Sequence, residues 1–173
     1  MKKSVLPNIF TFINLSFGIF SILATYNHEY LYASLFILIA GLVDRYDGRI
    51  ARYLQVESDL GKELDSLADL VSFGVAPSIL VYMLHNLKDF GPYGILGIAV
   101  LVTFPICGAY RLARYNATSF GGTFTGIPIT ITGAAIAVFV LFTYKLTMSV
   151  FIPVVIMLVL AYLMVSTIQL KKF

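Results

Sequence analysis

Six long apolar segments occupy almost the whole chain and leave little sequence for anything else. They cover approximately residues 5–26, 30–52, 65–86, 92–115, 127–146 and 149–170. Each is close to the roughly 20 residues that a helix needs to cross the hydrocarbon core of a bilayer. The chain is 59% hydrophobic and only 12% charged, whereas about 25% of the residues in an average soluble domain are charged. The sequence therefore predicts an integral membrane protein without a separate soluble domain.

The apolar segments lack the alternating pattern of a transmembrane β-barrel, the other structure that satisfies its backbone hydrogen bonds in lipid. We therefore expect an all-α fold, a bundle of six transmembrane helices formed by one domain over residues 1–173. The polar stretch 53–64 is predicted to form the turn between the second and third helices. The first segment is longer than the roughly 7–15-residue core of a signal peptide and has no small-residue cleavage site, so we expect it to remain a helix.

The basic residues predict how the bundle is oriented. With six spans, both termini share one side of the membrane with the 2–3 and 4–5 connections. That side carries ten of the twelve Lys and Arg residues, and the opposite side carries Lys88 and Lys145. Because basic residues are enriched on the cytoplasmic side, we expect the termini to be cytoplasmic. The ten residues are Lys2, Lys3, Arg45, Arg49, Arg52, Lys62, Arg111, Arg114, Lys171 and Lys172.

Four aspartates lie where two of the apolar segments meet the predicted cytoplasmic side. Asp44 and Asp47 are three residues apart at the end of the second segment, and Asp65 and Asp69 are four apart at the start of the third. Residues with these spacings share one face of a helix, and helices joined by a short turn are antiparallel neighbours. We therefore expect all four carboxylates to converge between the two helices.

Converging carboxylates at this depth need a cation, because desolvation and mutual repulsion would otherwise force some of them to protonate. Oxygen ligands favour hard ions, so the sequence predicts Mg²⁺ or Mn²⁺, with Ca²⁺ as an alternative. Four carboxylates suffice for one ion, or for two ions about 4 Å apart that clamp a phosphoryl group during its transfer. The sequence leaves the number of ions open.

Small residues flank the aspartates on both helices. Gly48 directly follows Asp47, Ala51 lies on the same face, and Gly61 precedes the second aspartate pair. A glycine inside a helix costs about 1 kcal/mol relative to alanine. Either a ligand lies against the backbone at these positions, or the small residues let the helices pack closely in lipid. Beside paired carboxylates we favour the ligand.

A second polar set ends the fourth apolar segment, at the same predicted depth as the aspartates. It consists of Arg111, Arg114, Tyr115 and Asn116. Arginine suits carboxylate and phosphate groups because its planar guanidinium donates two parallel hydrogen bonds. The alternative is that these arginines, close to a helix end, only extend their charged groups to the membrane surface.

A third polar set, Asn8, Thr11 and Asn14, follows a three-residue spacing along the first segment. The spacing places the three side chains on one helix edge. Ligand contact and hydrogen bonding between helices both remain open for this set. The two histidines, His28 and His85, fall on the opposite side of the predicted membrane, and we expect interfacial positions for them rather than catalytic roles.

The aspartate–glycine pattern resembles the signature of the CDP-alcohol phosphatidyltransferases. It reads D-x-x-D-G-x-x-A-R, then eight residues, then G-x-x-x-D-x-x-x-D, and it agrees with the signature at every fixed position. Further similarity is found at 6–14, 68–77, 111–116 and 126–130, so the resemblance extends over residues 6–130. The matching signature positions are Asp44, Asp47, Gly48, Ala51, Arg52, Gly61, Asp65 and Asp69.

The resemblance implies a homodimer of six-helix subunits in the cell membrane, with a metal site that opens to the cytoplasm. It implies that Asp44, Asp47 and Asp65 bind metal, and that Asp69 is both a metal ligand and the general base. The nucleotide of CDP-diacylglycerol would lie along the second and third helices. The candidate nucleotide contacts are Asn8, Thr11, Asp44, Gly48, Ala51, Arg52 and Gly61.

Within the family, the chain is most similar to members that transfer the phosphatidyl group to L-serine, which gives phosphatidylserine and CMP. The candidate serine contacts are Ser72, Arg111, Arg114 and Asn116, with Phe73 shaping the pocket. The expected partners are therefore these substrates and membrane lipid, with no nucleic acid.

Several alternatives to this reaction stay open at the level of sequence. Inside the family they are a phosphorylated acceptor, either glycerol 3-phosphate or inositol phosphate, and an ether-lipid donor. A phosphorylated acceptor would need more basic residues near the site than Arg111 and Arg114, which favours serine. The alternative outside the family is a divalent-cation transporter. It would need acidic groups at several depths, whereas the four aspartates are all at one end of their helices.

Overall fold

The computed structural model describes the backbone of residues 5–54, 58–117, 124–167 and 169–170. Side chains are described for residues 8–46, 58–117 and 126–167. Helices account for most of these ranges. They are α1 (Val5–Tyr26), α2 (Tyr30–Leu54), α3 (Asp59–Leu84), α4 (Ile95–Ala117), α5 (Ile129–Thr143) and α6 (Phe151–Val165).

Helix α3 is continuous but changes its winding in the middle. It is α-helical over Asp59–Asp69, π-helical over Leu70–Val75 and α-helical again over Ala76–Leu84. Two short 3₁₀ turns, Leu87–Asp89 and Pro92–Gly94, connect it to α4. A two-residue strand β1 (Phe124–Thr125) pairs antiparallel with β2 (Gln169–Leu170).

Three of the helical segments are long and apolar enough to cross a membrane by length and composition. They are Asn8–Tyr26, Asp59–Leu84 and Pro92–Ala117. Helices α5 and α6 are also apolar but shorter, at 15 residues each, and α2 is 25 residues long with its charged residues near its end. The predicted helical membrane architecture is therefore confirmed at this level.

The start of α3 differs from the prediction. The sequence predicts a turn over 53–64, whereas the helix already begins at Asp59. The reason is local capping, because the hydroxyl oxygen of Ser58 accepts a hydrogen bond from the backbone N–H of Gly61 at 3.0 Å. Asp59 adds a negative charge to the first turn, where the helix dipole favours it.

The end of the last helix also differs from the prediction. The sixth segment is predicted to be helical to residue 170, but α6 ends at Val165 and residues 169–170 form β2. At Ser166 the backbone turns extended, with ψ at 154°. The hydroxyl of Ser166 donates to the carbonyl of Leu163 at 2.9 Å, and such side-chain bonds to nearby backbone compete with continued helix formation.

The π-helical segment Leu70–Val75 lies at the centre of the bundle and contacts α1, α2, α4 and α5. Two glycines permit this close packing. A Cβ atom on Gly18 of α1 would lie 2.9 Å from Cα of Ser72, and one on Gly133 of α5 would lie 2.6 Å from the carbonyl oxygen of Phe73. Small residues at these two points therefore let α1 and α5 approach the segment from two sides.

The apolar core surrounds this segment and continues toward the end of the bundle that bears His28 and His85. Among its fully buried side chains are Phe73, Leu80 and Ile136. Large apolar side chains are exposed along the outer faces of the helices, for example on α1 and α6. Such a surface fits lipid, because hydrocarbon tails solvate apolar side chains that water would not.

Candidate active site

Three of the four predicted aspartates meet between α2 and the first part of α3. Asp44 lies on α2, and Asp65 and Asp69 lie on the first part of α3. One carboxylate oxygen from each lies within 4.8 Å of the others. Asp44 and Asp65 are partly buried, and Asp69 is buried with 8% of its surface exposed. The side chain of the fourth predicted ligand, Asp47, lies outside the described residues.

The aspartate cluster fits a hard divalent cation. Oxygen atoms bound to one such ion at 2.0 to 2.6 Å are at most about 4 to 5 Å apart, and the three carboxylates meet this limit. The carboxylates of Asp44 and Asp65 both repel that of Asp69, and burial removes the water that would screen the repulsion. The charge of Arg111 attracts the carboxylate of Asp69, as a cation bound within the cluster would. The cluster could therefore hold a metal ion.

Asn14 of α1 connects directly to this cluster. Its side-chain nitrogen Nδ2 donates to Oδ1 of Asp69 at 3.1 Å, and its backbone carbonyl accepts from the hydroxyl of Ser72 at 3.0 Å. Both Asn14 and Ser72 are fully buried. The sequence left ligand contact and interhelical bonding open for Asn14, and the structure shows an interhelical bond to a site aspartate. The sequence signal was the spacing that places Asn14 on one helix edge with Thr11.

Two of the candidate nucleotide residues lie beside each other at the start of α1 and α3. A Cβ atom on Gly61 would be 3.6 Å from the side-chain oxygen Oδ1 of Asn8. Thr11 is buried one turn farther along α1. The remaining candidates belong to α2, have side chains outside the described part of the chain, and keep their roles as predictions: Gly48, Ala51 and Arg52.

Two of the candidate serine residues are buried close to Asp69. Arg111 of α4 is only 8% exposed, and its charge acts on the carboxylate of Asp69. Its Nε atom has no hydrogen-bond partner among the residues that the structure describes. Ser72 lies within the π-helical segment, three residues after Asp69. Arg111 therefore interacts with Asp69 through its charge, and Ser72 is linked to the cluster through its hydrogen bond to the carbonyl of Asn14.

The other two candidate serine residues join α4 to its neighbours nearer the surface. Arg114 donates from a terminal guanidinium nitrogen to the carbonyl of Val165 at 3.1 Å. The amide nitrogen of Asn116 donates to the hydroxyl of Ser66 at 3.0 Å and to the carboxylate of Glu63 at 3.3 Å. These contacts place both residues at the same end of the bundle as the aspartates, and a role in binding serine remains a prediction.

Both histidines lie at the opposite end of the bundle. His28 is in the turn between α1 and α2, and His85 follows the last residue of α3. At 1.5 Å per residue, each is roughly 20 Å along its helix from Asn14 or Asp69. Burial lowers the pKa of His85. Neither histidine is within reach of the aspartate cluster.

Comparisons with known proteins agree with the motif. The model of the CDP-alcohol phosphatidyltransferase family matches residues 4–169. The chain is 38% identical over 174 residues to the CDP-diacylglycerol–serine O-phosphatidyltransferase of Bacillus subtilis (strain 168), covering 97% of this chain and 90% of that protein. It is 35% identical over 176 residues to the Helicobacter pylori (strain ATCC 700392 / 26695) protein of the same name. That match covers 96% of this chain and 72% of the Helicobacter protein.

An archaeal protein is similar to the same extent. The chain is 36% identical over 168 residues to the archaetidylserine synthase of Methanothermobacter thermautotrophicus, covering 95% of this chain and 68% of that protein. These matches extend past residue 130, where the motif resemblance ends, and include the last two helices.

Proposed function

This chain belongs to the CDP-alcohol phosphatidyltransferase family, and on that premise we propose that it transfers the phosphatidyl group of CDP-diacylglycerol to the hydroxyl of L-serine. The products are phosphatidylserine and CMP. The observation that carries the proposal is the compact cluster of Asp44, Asp65 and Asp69, which occurs in a chain whose bacterial relatives are named for this reaction.

We propose that all six helices cross the membrane. Helices α2, α5 and α6 would do so in addition to the three long apolar spans in α1, α3 and α4. The excess of basic residues on one side supports cytoplasmic termini and a cytoplasmic opening of the site. The acyl chains of the donor remain in the bilayer during the reaction, which suits an enzyme built from membrane helices. By family resemblance the working unit is a homodimer.

The aspartates are proposed to hold Mg²⁺ or Mn²⁺, with Asp47 as a fourth ligand beside Asp44, Asp65 and Asp69. One ion or two would fit this ligand set, and Ca²⁺ is the alternative hard ion. Metal bound there supplies positive charge for the pyrophosphate of the donor and for the departing CMP. The described carboxylates support this assignment through their mutual distances.

Asp69 is proposed as the general base. Its carboxylate accepts the proton of the serine hydroxyl as the serine oxygen bonds to the phosphorus that carries diacylglycerol. The bond between that phosphorus and the oxygen of CMP breaks, and CMP leaves with the electron pair. A base must lie about 2.6 to 3.2 Å from the proton donor, and burial of Asp69 limits competition from water.

The acceptor is proposed to be oriented by Arg111, Arg114 and Asn116, which face its carboxylate, while Ser72 and Phe73 shape the pocket. Arg111 has the strongest support, because it is buried and acts electrostatically on Asp69. Holding both substrates in place supplies much of the acceleration in phosphoryl transfer.

The nucleotide is proposed to lie along α2 and α3, with α1 closing one side. The proximity of Asn8 to Gly61 supports a shared site for these two residues. The other proposed contacts are Thr11, Asp44, Gly48, Ala51 and Arg52.

An acceptor screen tests the function. Purified protein in detergent receives CDP-diacylglycerol and Mn²⁺ or Mg²⁺, and CMP release is measured with L-serine, glycerol 3-phosphate or inositol phosphate. We expect release that depends on serine and stops when a chelator removes the metal. A preference for a phosphorylated acceptor would overturn the assignment of serine.

The name of the archaeal relative is a reason to add a second donor lipid to this screen. Because that protein is named archaetidylserine synthase, the ether-linked analogue of CDP-diacylglycerol is tested with L-serine as well. Faster release from the ether-linked donor would assign this chain the archaeal type of donor while keeping serine as the acceptor.

A further inference from the structure

We infer that Asn14 is a positioning residue that holds the carboxylate of Asp69 in the orientation needed for proton transfer. The inference rests on the proposed function, because it assigns Asn14 to the same reaction. Asn14 belongs to a different helix from every aspartate of the cluster. It therefore couples α1 to a site that the signature motif confines to α2 and α3.

The chemistry of the pair sets the direction of the hydrogen bond. An ionised carboxylate only accepts hydrogen bonds, so the amide of Asn14 must turn its nitrogen toward Asp69. The bond of 3.1 Å ends on Oδ1 and occupies one of the two carboxylate oxygens. Since Asn14 is fully buried and Asp69 is 8% exposed, bulk water does not compete strongly for this contact.

The backbone of Asn14 is also held in place by α3. The hydroxyl of Ser72 donates to its backbone carbonyl at 3.0 Å, so α1 is joined to α3 at Asp69 and again three residues later. Gly18, one turn farther along α1, allows this approach, because a Cβ atom there would lie 2.9 Å from Cα of Ser72. The donor is therefore fixed relative to the backbone that carries Asp69.

A purely structural role explains the residue poorly. The side-chain oxygen Oδ1 of Asn14 is buried and has no hydrogen-bond partner among the described residues. Leaving a buried polar atom unpaired costs about 1 to 3 kcal/mol, and an apolar side chain of similar size would avoid this loss. Ser21 also has an unpaired buried oxygen among the described residues, but Asn14 in addition donates to a carboxylate of the site, so orientation of Asp69 explains why position 14 is polar.

The test compares Asn14→Leu with Ser21→Ala in the full-length protein. Leucine has the same branching and the same number of heavy atoms as asparagine, is somewhat larger, and lacks the donor. Ser21 is a matched control because it is buried on the same helix and also has an unpaired oxygen among the described residues. Four quantities are measured: kcat, KM for CDP-diacylglycerol, the Kd for Mn²⁺ from electron paramagnetic resonance of the free ion, and the melting temperature.

Removal of a residue that orients a ligand or base typically lowers activity or metal affinity about 10- to 100-fold. For Asn14→Leu we expect kcat to fall by this factor and the Kd for Mn²⁺ to rise about tenfold. KM for CDP-diacylglycerol, measured at saturating Mn²⁺, should change less than about threefold, since the proposed nucleotide contacts Asn8, Thr11 and Gly61 are unaltered. For Ser21→Ala, we expect kcat, KM for CDP-diacylglycerol and the Kd for Mn²⁺ each to stay within about twofold of wild type.

The outcomes separate the inference from the proposed function. If Asn14→Leu matches Ser21→Ala in kcat and in Mn²⁺ affinity, and differs only in melting temperature, Asn14 is structural and the inference is wrong. If the wild type releases no CMP with serine, the proposed function fails, but the Mn²⁺ titration still reports whether Asn14 orders the cluster. Should Asn14→Leu not fold, Asn14→Ala removes the same donor without adding bulk and decides the question by the same measurements.

Discussion

The side-chain hydrogen bonds of the described residues differ between the two ends of the bundle in whether they cross from one helix to another. Near the aspartates, three side-chain hydrogen bonds cross between helices, from Asn14 to Asp69, from Ser72 to the carbonyl of Asn14 and from Asn116 to Ser66, while the exposed Ser16 donates within its own helix. Toward the other end, hydroxyls donate to a carbonyl four residues earlier in the same helix. These hydroxyls belong to Thr25, Ser34, Ser78 and Thr143.

This difference separates the part of the molecule that needs defined geometry from the part that needs only stability. A hydroxyl that bonds its own helix is satisfied wherever the neighbouring helix lies, so it leaves helix positions to apolar packing. A bond between helices fixes two backbones relative to each other. We therefore expect substitutions near the aspartates to change catalysis, and similar substitutions at the other end to change little.

The largest effect is expected at the aspartates themselves. Asp69→Asn keeps the size of the side chain but removes the base, so kcat should fall about 10²- to 10⁴-fold, the range for loss of a general base. Binding of CDP-diacylglycerol should be largely kept. The measurement is CMP release alongside equilibrium binding of the donor. Asp59→Asn, at the exposed start of α3, is the control, and normal turnover by Asp69→Asn would contradict its role as base.

A smaller effect is expected where the site meets the surface. Arg114→Ala should raise the serine KM by about 10-fold, because a charge-assisted hydrogen bond contributes about 1.5 to 3 kcal/mol. KM for CDP-diacylglycerol should change much less. Lys145→Ala removes a cation at the far end and should leave both constants unchanged. Equal increases in the two constants for Arg114→Ala would argue against binding of the serine carboxylate.

The close packing of α1 on α3 allows a matched pair of glycine variants. In Gly18→Ala the new Cβ would lie 2.9 Å from the Cα of Ser72, whereas in Gly41→Ala it would lie 3.6 Å from the ring of Phe73. Overpacking typically costs about 1 to 3 kcal/mol, so Gly18→Ala should lower the free energy of unfolding in detergent by this amount. Gly41→Ala should be neutral or slightly stabilising. Equal stability of the two variants would show that α1 moves away freely.

The smallest effect is expected at the end remote from the aspartates. Ser34→Ala removes a hydroxyl that donates to the carbonyl of Tyr30 in its own helix. The carbonyl keeps its place in the helix backbone, so we expect kcat within about twofold of wild type and a stability change below about 1 kcal/mol. Measurement of both in the same detergent is sufficient. A tenfold loss of activity would mean that the two ends are coupled and that the comparison does not hold.

Features that depend on local sequence were predicted most accurately. The aspartate spacings follow from the helical repeat, so the meeting of Asp44, Asp65 and Asp69 needed only two adjacent helices. The helix ends at Asp59 and Val165 were missed, because a serine cap and a competing serine hydroxyl decide them. Roles for Arg114 and Asn116 in binding serine remain predictions, since their described bonds join helices to one another.

By itself, the sequence determined that this chain is a helical membrane protein of a known enzyme family with acidic groups on two neighbouring helices. Composition and residue spacing are sufficient to predict these features, because a membrane helix and the face on which its residues lie are determined within one helix or one turn. Only the tertiary structure decided that Asn14 meets Asp69, a residue 55 positions away. That contact depends on the rotation and depth of α1 against α3, which residue spacing within one helix does not set. The π-helical segment Leu70–Val75 begins directly after Asp69, and its wider turn changes which of the following residues face each neighbour.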